Sequence, residues 1–542
     1  MTHSPFTGSL SRRSLMGGAL GLTVAGGAVL AGCSTEGSAD AGAQGEQAEL
    51  PSQIPFEGVK ADIEPANEYS VAGYLKFPNP AITAVPEKPG DGSTITGLTT
   101  TSTGGTAPPM KRNQWWQNLN EQLGVTMELS WIKGDDYLSR FQTMVAGDDI
   151  PDVIAVPNVP QLDKMLKAKF TDLTEYLAGD AVAEYPMLAN FPAVSWQEVI
   201  YGGSIYGIPR PLLPISSRLE ARTDTLDELG IVPEFTSADG FLDLCREVTD
   251  RKSGRFAMVQ PNASFLRSMF SLPNVWEKTD QGFRHEIESE RYPEYLDFVA
   301  GMWSEKLFHP DAFNNPSLIP LFQQPGFVLF EVGGPGFTRA MPMYRPGAPT
   351  LTVKPVVVPL AEGGGNAPVR IGPGSTNMLG IRGDLDPDRV RQVLQVLNYT
   401  AAPFGTKEYL SVQYGKEGRN FTFDDDGQPI PNPETSNEMF PITLFPGNPN
   451  FMYAPEFPDV VRNECDYEAT VGDNVRLNAS TGLISETEIS KSGQLDREIT
   501  LAVGDIIQGR KPVSSWADTV ATWRSKGGDQ MRTEYEEADA AG

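Results

Sequence analysis

Strand-like and helix-like periodicities alternate between residues 94 and 156, and this alternation constrains the fold more than any other feature of the chain. The Thr-, Ile- and Leu-rich run from Thr94 to Thr100 predicts a strand, and alternating apolar residues from Val125 to Trp131 predict a second. Apolar residues at helical spacing follow each of them, and Asp152 to Val156 predicts a third strand. Because the connections are short, the β-α-β-α-β order favours a parallel sheet and an α/β fold.

Helical stripes supply the rest of the expected core. The two helices of this unit should bury Trp115, Trp116, Leu119 and Leu123, and then Tyr137, Leu138, Phe141, Met144 and Val145. Much later in the chain, Asp386 is the expected N-cap of a helix that has Pro387 at its first position. The long interruption before this second α/β stretch indicates that the chain crosses between two structural units.

The first 33 residues predict an export and anchoring signal. Arg12 and Arg13 form a twin-arginine motif, and the apolar run that follows to Leu30 is too short and too Gly-rich for a stable spanning helix. Its end, Leu-Ala-Gly-Cys, resembles a bacterial lipobox, so we expect residues 1–32 to be a lipoprotein signal peptide and Cys33 to carry the lipid, palmitate included. An ordinary signal peptide with an incidental cysteine is the alternative. Residues 33–60 are expected to form the lipidated end and a flexible tether.

The balance of charges and the scarcity of ligating residues exclude several functions. Acidic residues number 70 against 43 Lys and Arg, a formal charge of −27, which disfavours a nucleic-acid partner. Three His and three Cys in 542 residues are too few for zinc clusters, haem or iron–sulfur ligation. The motifs of P-loops, zinc proteases and serine hydrolases are absent. The sequence therefore predicts no catalytic residues, no metal and no cofactor.

Three short motifs are interpreted structurally. Asp424 to Gly427 lacks two of the ligands of a calcium loop and favours a hairpin turn. Cys245 shares a helical face with apolar residues and should be buried, whereas Cys465 lies between Glu464 and Asp466, which favours exposure. A disulfide between the two cysteines stays open as an alternative outside the cytoplasm.

Six segments in chain order resemble the family 1 extracellular solute-binding proteins of ABC importers, in particular the long lipoprotein branch associated with oligosaccharides. They are MVAGDDIPD from Met144, IYGIPR from Ile205, RTDTLDELG from Arg222, the run Phe327 to Phe337, YGKEGRNFT from Tyr414, and the run Ile506 to Trp516. Some members carry an Asp/Asn-rich calcium loop at the position of Asp250 to Arg255. Two Arg and one Lys stand there in this chain, so that metal is not expected.

The resemblance implies a two-lobed fold of the type II periplasmic-binding-protein kind, each lobe a mixed sheet flanked by helices, with a ligand cleft between the lobes. Lobe one would comprise residues 61–208 and 375–445, and lobe two residues 209–374 and 446–538. The implied crossovers lie near Tyr206 to Arg210 and Val369 to Ser375, and Gly207 and Gly372 are the expected hinges.

Ligand-binding candidates follow from the chemistry of sugars and from the place of clefts in α/β proteins. Sugar binders stack aromatic rings on C–H faces and direct polar groups at hydroxyls, and open α/β sheets bind ligands beyond the carboxyl ends of their strands. The candidates are Thr101, Ser102, Thr103, Arg210, Trp276, Trp303, Phe337, Arg339, Phe451 and Tyr453.

The expected function is that of a monomeric binding protein, held at the outer face of the cell membrane by its lipid alone, that passes a carbohydrate to the membrane subunits of an ABC importer. Two alternatives stay open: a cell-surface carbohydrate-active hydrolase or lyase, and a binder of peptide or another polar nutrient.

Overall fold

The computed structural model describes residues 48–101, 107–215, 217–314, 321, 326–334, 336–447 and 451–541. Eight strands build the two main sheets: β1 Thr94–Thr101, β2 Thr126–Lys133, β3 Val153–Val156, β4 Ile208–Pro211, β5 Ser217–Arg222, β6 Leu329–Gly333, β7 Val353–Val356 and β8 Ser375–Ile381. The longer helices are α1 Gln114–Leu123, α2 Gly134–Ala146, α3 Leu162–Lys169, α4 Thr223–Leu229, α5 Ala238–Val248, α6 Tyr292–Ser304, α7 Phe337–Tyr344, α8 Pro387–Thr400, α9 Lys407–Gln413, α10 Pro458–Val471, α11 Glu486–Ile507, α12 Trp516–Trp523 and α13 Asp529–Ala541.

The first sheet has five strands in the order β2-β1-β3-β8-β4. Strands β2 and β3 both pair in parallel with β1, which confirms the parallel unit predicted from the sequence. Strand β8 pairs antiparallel with both β3 and β4, so the sheet is mixed. Strands β1, β2, β3 and β4 therefore run in the same direction, and their carboxyl ends lie along one edge of the sheet.

Local signals explain the helices around this sheet. The Asn113 side chain caps α1 by accepting from the Trp116 amide, and Gly124 ends the helix in the left-handed region with a φ of 69°. Asp386 caps α8 by accepting from the Arg389 amide, as its sequence predicts. The predicted stripe of α1 is fully buried, but Leu138 of α2 is 46% exposed and does not belong to the core. We call the packed residues around the five-stranded sheet the first core.

A second core forms around a three-stranded sheet of order β6-β5-β7, in which β5 pairs antiparallel with both neighbours. Helices α5, α6, α11 and α12 bury their apolar faces in it, together with Trp276 and Tyr535. Cys245 is buried here as predicted, whereas Cys465 is buried in another cluster beside Met452, which corrects the expectation that it is exposed. Both cysteines are free.

Small two-stranded pairings complete the backbone pattern. Phe421–Phe423 and Pro429–Pro431 form an antiparallel hairpin, which confirms the turn predicted at Asp424 to Gly427. The Asp424 carboxylate accepts from the amides of Asp426 and Gln428 and so occupies the turn itself. The remaining pairs join Ala72–Tyr74 to Phe451–Tyr453, Ile200–Tyr201 to Ser204–Ile205, Trp276–Thr279 to Gly282–His285, and Val369–Arg370 to Val475–Arg476.

The chain passes between the two sheets twice, and the two passages pair with each other. The Leu212 amide donates to the Gly374 carbonyl and the Gly372 amide to the Pro214 carbonyl, both at 3.0 Å. Ile215 and Ile371 extend the pairing as an antiparallel bridge. We call segments 210–215 and 371–375 the crossover ribbon.

The described part of the expected tether is not free of the body. The Ala48 amide donates to Gly203, the Ser52 amide to Gly179 and the Ile54 amide to Ala189. Leu50 and Phe56 pack against the first core. Residues 48–60 therefore dock along the body, which corrects their assignment to the tether, because their apolar side chains find a partner surface there. Arg12, Arg13 and Cys33 lie outside the described residues.

A fully buried ion network ties the second sheet to α10. The Arg218 guanidinium contacts Glu464 at 2.6 Å and Glu468 at 3.2 Å, and all three side chains are buried. Glu464 also accepts from the Phe337 amide and Glu468 from the Val71 amide. Glu220 lies beside Glu464, so three carboxylates share one cation. Burial and the Glu464 charge hold the pKa of Glu220 well above its usual value, and burial raises the pKa of Glu468 to about 7.

We expect Glu220→Gln to stabilise the protein increasingly as the pH rises. The folded state keeps a proton on Glu220 that the unfolded chain releases above a pKa of about 4.3, so wild-type stability falls by up to about 1.4 kcal/mol per pH unit above that value. The amide of Gln removes this linkage and can still donate to Glu464. Urea denaturation between pH 5 and pH 9 measures the difference.

Glu464→Gln is the matched control, because it weakens the direct partner of Arg218. It should destabilise the protein by up to about 3–5 kcal/mol, because Arg218 loses the shorter of its two ion pairs and keeps only the longer contact with Glu468. A wild type and a Glu220→Gln variant whose unfolding free energies change in parallel with pH would contradict the prediction.

Candidate functional site

A cavity of about 780 Å³ lies between the two cores, next to the crossover ribbon. The side toward the first core contributes Asn158, which follows β3, and Glu198 and Tyr201, which follow the short helix Ala193–Gln197. The opposite side contributes Arg267, Glu286 and Arg370, and residues 477–485 that lead into α11. Gly372 of the ribbon is part of the wall. The cavity thus lies at the carboxyl-end edge of the first sheet, where an α/β protein is expected to bind its ligand.

The wall toward the second core is built around a largely buried carboxylate, that of Glu286, which is 13% exposed. Nη2 of Arg370 donates to the Glu286 carboxylate at 2.5 Å and to the Pro273 carbonyl at 2.6 Å. Nε of Arg267 lies 3.6 Å from the same carboxylate. Burial alone would raise the pKa of Glu286, but Arg370 and Arg267 outweigh burial and lower it. Burial lowers the pKa of Arg370, so its charge is stabilised less well than that of an exposed arginine.

The wall toward the first core carries Glu198, a carboxylate whose pKa shifts in the opposite direction to that of Glu286. Burial raises the pKa of Glu198, and no side-chain partner offsets this effect. Burial and the nearby Glu198 charge raise the pKa of Tyr201 to about 12, so its phenol stays protonated. This wall offers an acceptor in Glu198 and a hydroxyl in Tyr201.

One hydrogen bond connects the two sides directly. The Gln161 amide, in the loop after β3, donates at 3.1 Å to the carboxylate of Glu486 in the first turn of α11. Gln161 itself has a φ of 57°, in the left-handed region, at the start of α3. The loop after β3 therefore contacts both the cavity and the far wall.

Two of the sequence-predicted residues lie at this edge of the first sheet. Thr101 ends β1 and pairs in register with Lys133 at the end of β2, while Ser102 and Thr103 lie outside the described residues. Arg210 is half-buried in β4, and its Nε donates to the Phe445 carbonyl at 3.2 Å. Burial lowers the pKa of Arg210. Its backbone is fixed to β8 because its amide donates to the Ser375 hydroxyl.

The predicted aromatic platforms are mostly core residues, which corrects their assignment to a sugar-binding surface. Trp276 and Phe337 have no exposed surface, since Trp276 packs on Tyr535 and Trp523, and Phe337 on Phe330.

The two aromatic residues near residue 450 are corrected in the same way. Phe451 is 8% exposed and lies 4.5 Å from the Phe404 ring between centroids. Tyr453 also packs on Phe404 and donates its hydroxyl to Gln428. Both rings therefore stabilise an aromatic cluster beside the first core.

The last two predicted binding residues lie away from the 780 Å³ cavity. Trp303 lines a separate apolar cavity of about 830 Å³ with Phe256 and Phe308. Arg339 is exposed on α7 and does not line the 780 Å³ cavity.

The expected hinges have different surroundings. Gly207 is buried, and a Cβ there would lie 2.9 Å from Met378, so close packing accounts for this glycine. Gly372 lines the cavity within the crossover ribbon, and its role as a hinge stays a prediction. The residues that sequence reasoning missed are Asn158, Glu198, Tyr201, Arg267 and Arg370. Only Asn158 carried a signal, because it follows a predicted strand.

We expect Gly374→Ala to destabilise the protein, because a Cβ at this position would lie 2.3 Å from the Val194 carbonyl oxygen. Overpacking against a backbone atom costs about 1–3 kcal/mol or more, and the shift would separate the ribbon from the cavity wall. Gly365→Ala is the control, since its Cβ would meet only Leu360 at 3.7 Å. Thermal unfolding of both variants tests this, and equal melting temperatures would contradict it.

No family model matches the chain. Lipoprotein LipO of Bacillus subtilis is 20% identical over 464 residues, which cover 78% of this chain and 88% of that protein.

Solved structures match the fold over most of the chain. A solute-binding protein of Bifidobacterium longum infantis, described as HMO-binding and ABC-transporter-associated, has a TM-score of 0.62 at 12% identity and covers 83% of this chain and 99% of its own. The N-glycan transport solute-binding protein of Streptococcus pneumoniae has a TM-score of 0.59 at 14% identity over 82% of this chain and 98% of its own. The alginate-binding protein AlgQ2 has a TM-score of 0.58 at 12% identity, and the match covers 83% of this chain and 98% of AlgQ2.

These comparisons confirm the predicted fold class and, at the level of fold, the resemblance found in the sequence. The described chain is an α/β protein with the periplasmic-binding-protein-like fold of the solute-binding proteins of ABC transporters.

Proposed function

We propose that this protein is a lipid-anchored extracellular binding protein that captures an oligosaccharide and delivers it to an ABC importer. The observation that carries the proposal is the polar cavity between two separately packed cores that are joined by a paired crossover ribbon. The sugar ligands named for the solved structures with this fold support a carbohydrate as the ligand class.

The lobes of the proposed protein follow the boundaries expected from the sequence, 61–208 with 375–445 and 209–374 with 446–538. The separation of the two cores supports this division. A ligand that contacts both walls favours the closed arrangement, because only that arrangement lets it bond to Glu198 and Arg370 together. The ribbon at Gly372 would absorb the backbone change. The importer's membrane subunits could then distinguish loaded from empty monomers by shape, with no reaction performed.

Binding and closure should be observed together. A saturating oligosaccharide at 100 times its dissociation constant should add about 2.7 kcal/mol to the free energy of unfolding. Small-angle scattering should show a smaller radius of gyration, and chromatography should return the sugar unchanged. Turnover of the sugar would favour the hydrolase or lyase alternative, and stabilisation only by peptides would favour a peptide binder.

The lipid anchor is proposed at Cys33, supported by the lipobox and by the lipoprotein description of the Bacillus subtilis relative. No helix within the described ranges is long and apolar enough to cross a bilayer.

Cys33→Ala is expected to release the protein from membranes without changing its melting temperature, because the substitution lies before the folded body. A single acyl chain binds only marginally, so stable attachment requires more than one chain. Membrane fractionation after a salt wash measures the distribution, with Cys245→Ala as the control that keeps the anchor. A Cys33→Ala protein that remains in the membrane fraction would contradict the proposal.

A further inference from the structure

We infer that the ligand of the 780 Å³ cavity is an uncharged oligosaccharide, with hydroxyls that donate to Glu198 on one wall and accept from Arg370 on the other. The inference rests on the proposed function and makes it specific, because it excludes acidic sugars and assigns the two walls opposite roles.

Glu198 is an acceptor without a donor. Its side chain is partly buried at the cavity wall, and within the described residues it makes neither an ion pair nor a hydrogen bond. A partly desolvated carboxylate that lacks donors is costly to keep ionised, and a ligand hydroxyl placed beside it would remove that cost. The acidic composition of the chain explains exposed carboxylates, but it does not explain one held in a cavity.

Arg370 is a donor that is only partly used. Its side chain is 9% exposed, and Nη2 makes both of its hydrogen bonds, to Glu286 and to the Pro273 carbonyl. Nε has no partner, and neither does Nη1 among the residues that the structure describes. A guanidinium has five N–H groups in a fixed plane, and Arg370 lines the cavity, so Nη1 is left to donate to a ligand there.

The charges along the wall decide between neutral and acidic sugars. Four carboxylates line the cavity, those of Glu68, Glu198, Glu286 and Glu488, against the two guanidinium groups of Arg267 and Arg370. Glu286 already compensates both arginines, and Glu331 acts on Arg267 as well. A carboxylate on the ligand would therefore meet excess negative charge without a free cation to neutralise it.

Sugar hydroxyls fit this arrangement because each hydroxyl both donates and accepts. A neutral sugar chain that spans the cavity can donate to Glu198 and accept from Arg370 at the same time. An ammonium group could donate to Glu198, but it has no lone pair with which to accept a hydrogen bond from Arg370. The pair of walls therefore selects a polyhydroxylated, uncharged ligand.

Titration calorimetry with matched ligands tests the inference. The probes are neutral tetrasaccharides with gluco, manno, galacto and fructo linkages, together with uronate tetrasaccharides of the same length. We expect at least one neutral probe to bind at least tenfold more tightly than every uronate. Glu198→Gln and Arg370→Lys should each weaken that binding by about 10- to 100-fold, as expected when a hydrogen bond to a charged group is lost.

Glu184→Gln is the control. Glu184 is exposed and lies outside the cavity, so its substitution should leave the affinity unchanged. Circular dichroism and melting temperature establish that each variant is folded, and if one variant fails to fold, the other decides. Uronates that bind as tightly as the neutral sugars, or folded variants with wild-type affinity, would overturn the inference and leave the proposed function standing. Binding of no sugar at all would overturn the proposed function itself.

Discussion

Arg218 is a cation with no access to water, and the arrangement of the second core depends on how its charge is compensated. Glu464 and Glu468 come from successive turns of α10, so one helix face supplies both counterions to the central strand of the sheet. The outer oxygens of the same carboxylates accept from the backbone at Phe337 and Val71. Four distant segments are thereby fixed by one guanidinium, and breaking the network would leave several buried charges unpaired.

The fixed second core gives the crossover ribbon a rigid base. Ile215 lies at the end of the first crossover, and its carbonyl accepts a hydrogen bond from the Arg218 guanidinium. The same residue forms a β-bridge with Ile371 of the second crossover. At its other end the ribbon continues into β4 and β8, adjacent strands of the first sheet. Any relative movement of the cores would have to be absorbed in part between residues 210 and 215 and between 371 and 375. Part of the second segment, including Gly372, lines the cavity. A ligand in the cavity would therefore lie next to the backbone that bends when the cores move.

The elements predicted with most success are those whose signals are local. The β1-α1-β2-α2-β3 unit and the capped helix α8 follow from periodicity and capping residues, which act within a few positions of one another. The wrong predictions concern side chains whose environment is set by distant segments. Trp276 offers the same chemistry to a sugar or to a core, and its contacts with Trp523 and Tyr535 place it in the core. No local sequence signal marks Glu198 or Arg370 as a cavity residue. They line one cavity only because the fold brings together two parts of the chain that are more than 150 residues apart.

The separation of acceptor and donor onto opposite walls has a consequence for closure. If both groups lay on one wall, a sugar could satisfy them in any arrangement of the cores and would shift no equilibrium, since only differential affinity moves populations. Glu198 lies on one side of the cavity and Arg370 on the other, and no hydrogen bond or ion pair joins the two side chains among the described residues. The acceptor that lacks a donor therefore lies on one wall, and the donor that lacks an acceptor lies on the other. A polyhydroxylated ligand between the walls would supply both missing partners at once. Under the proposed function, the same division would make the empty site costly and the loaded site a single closed unit.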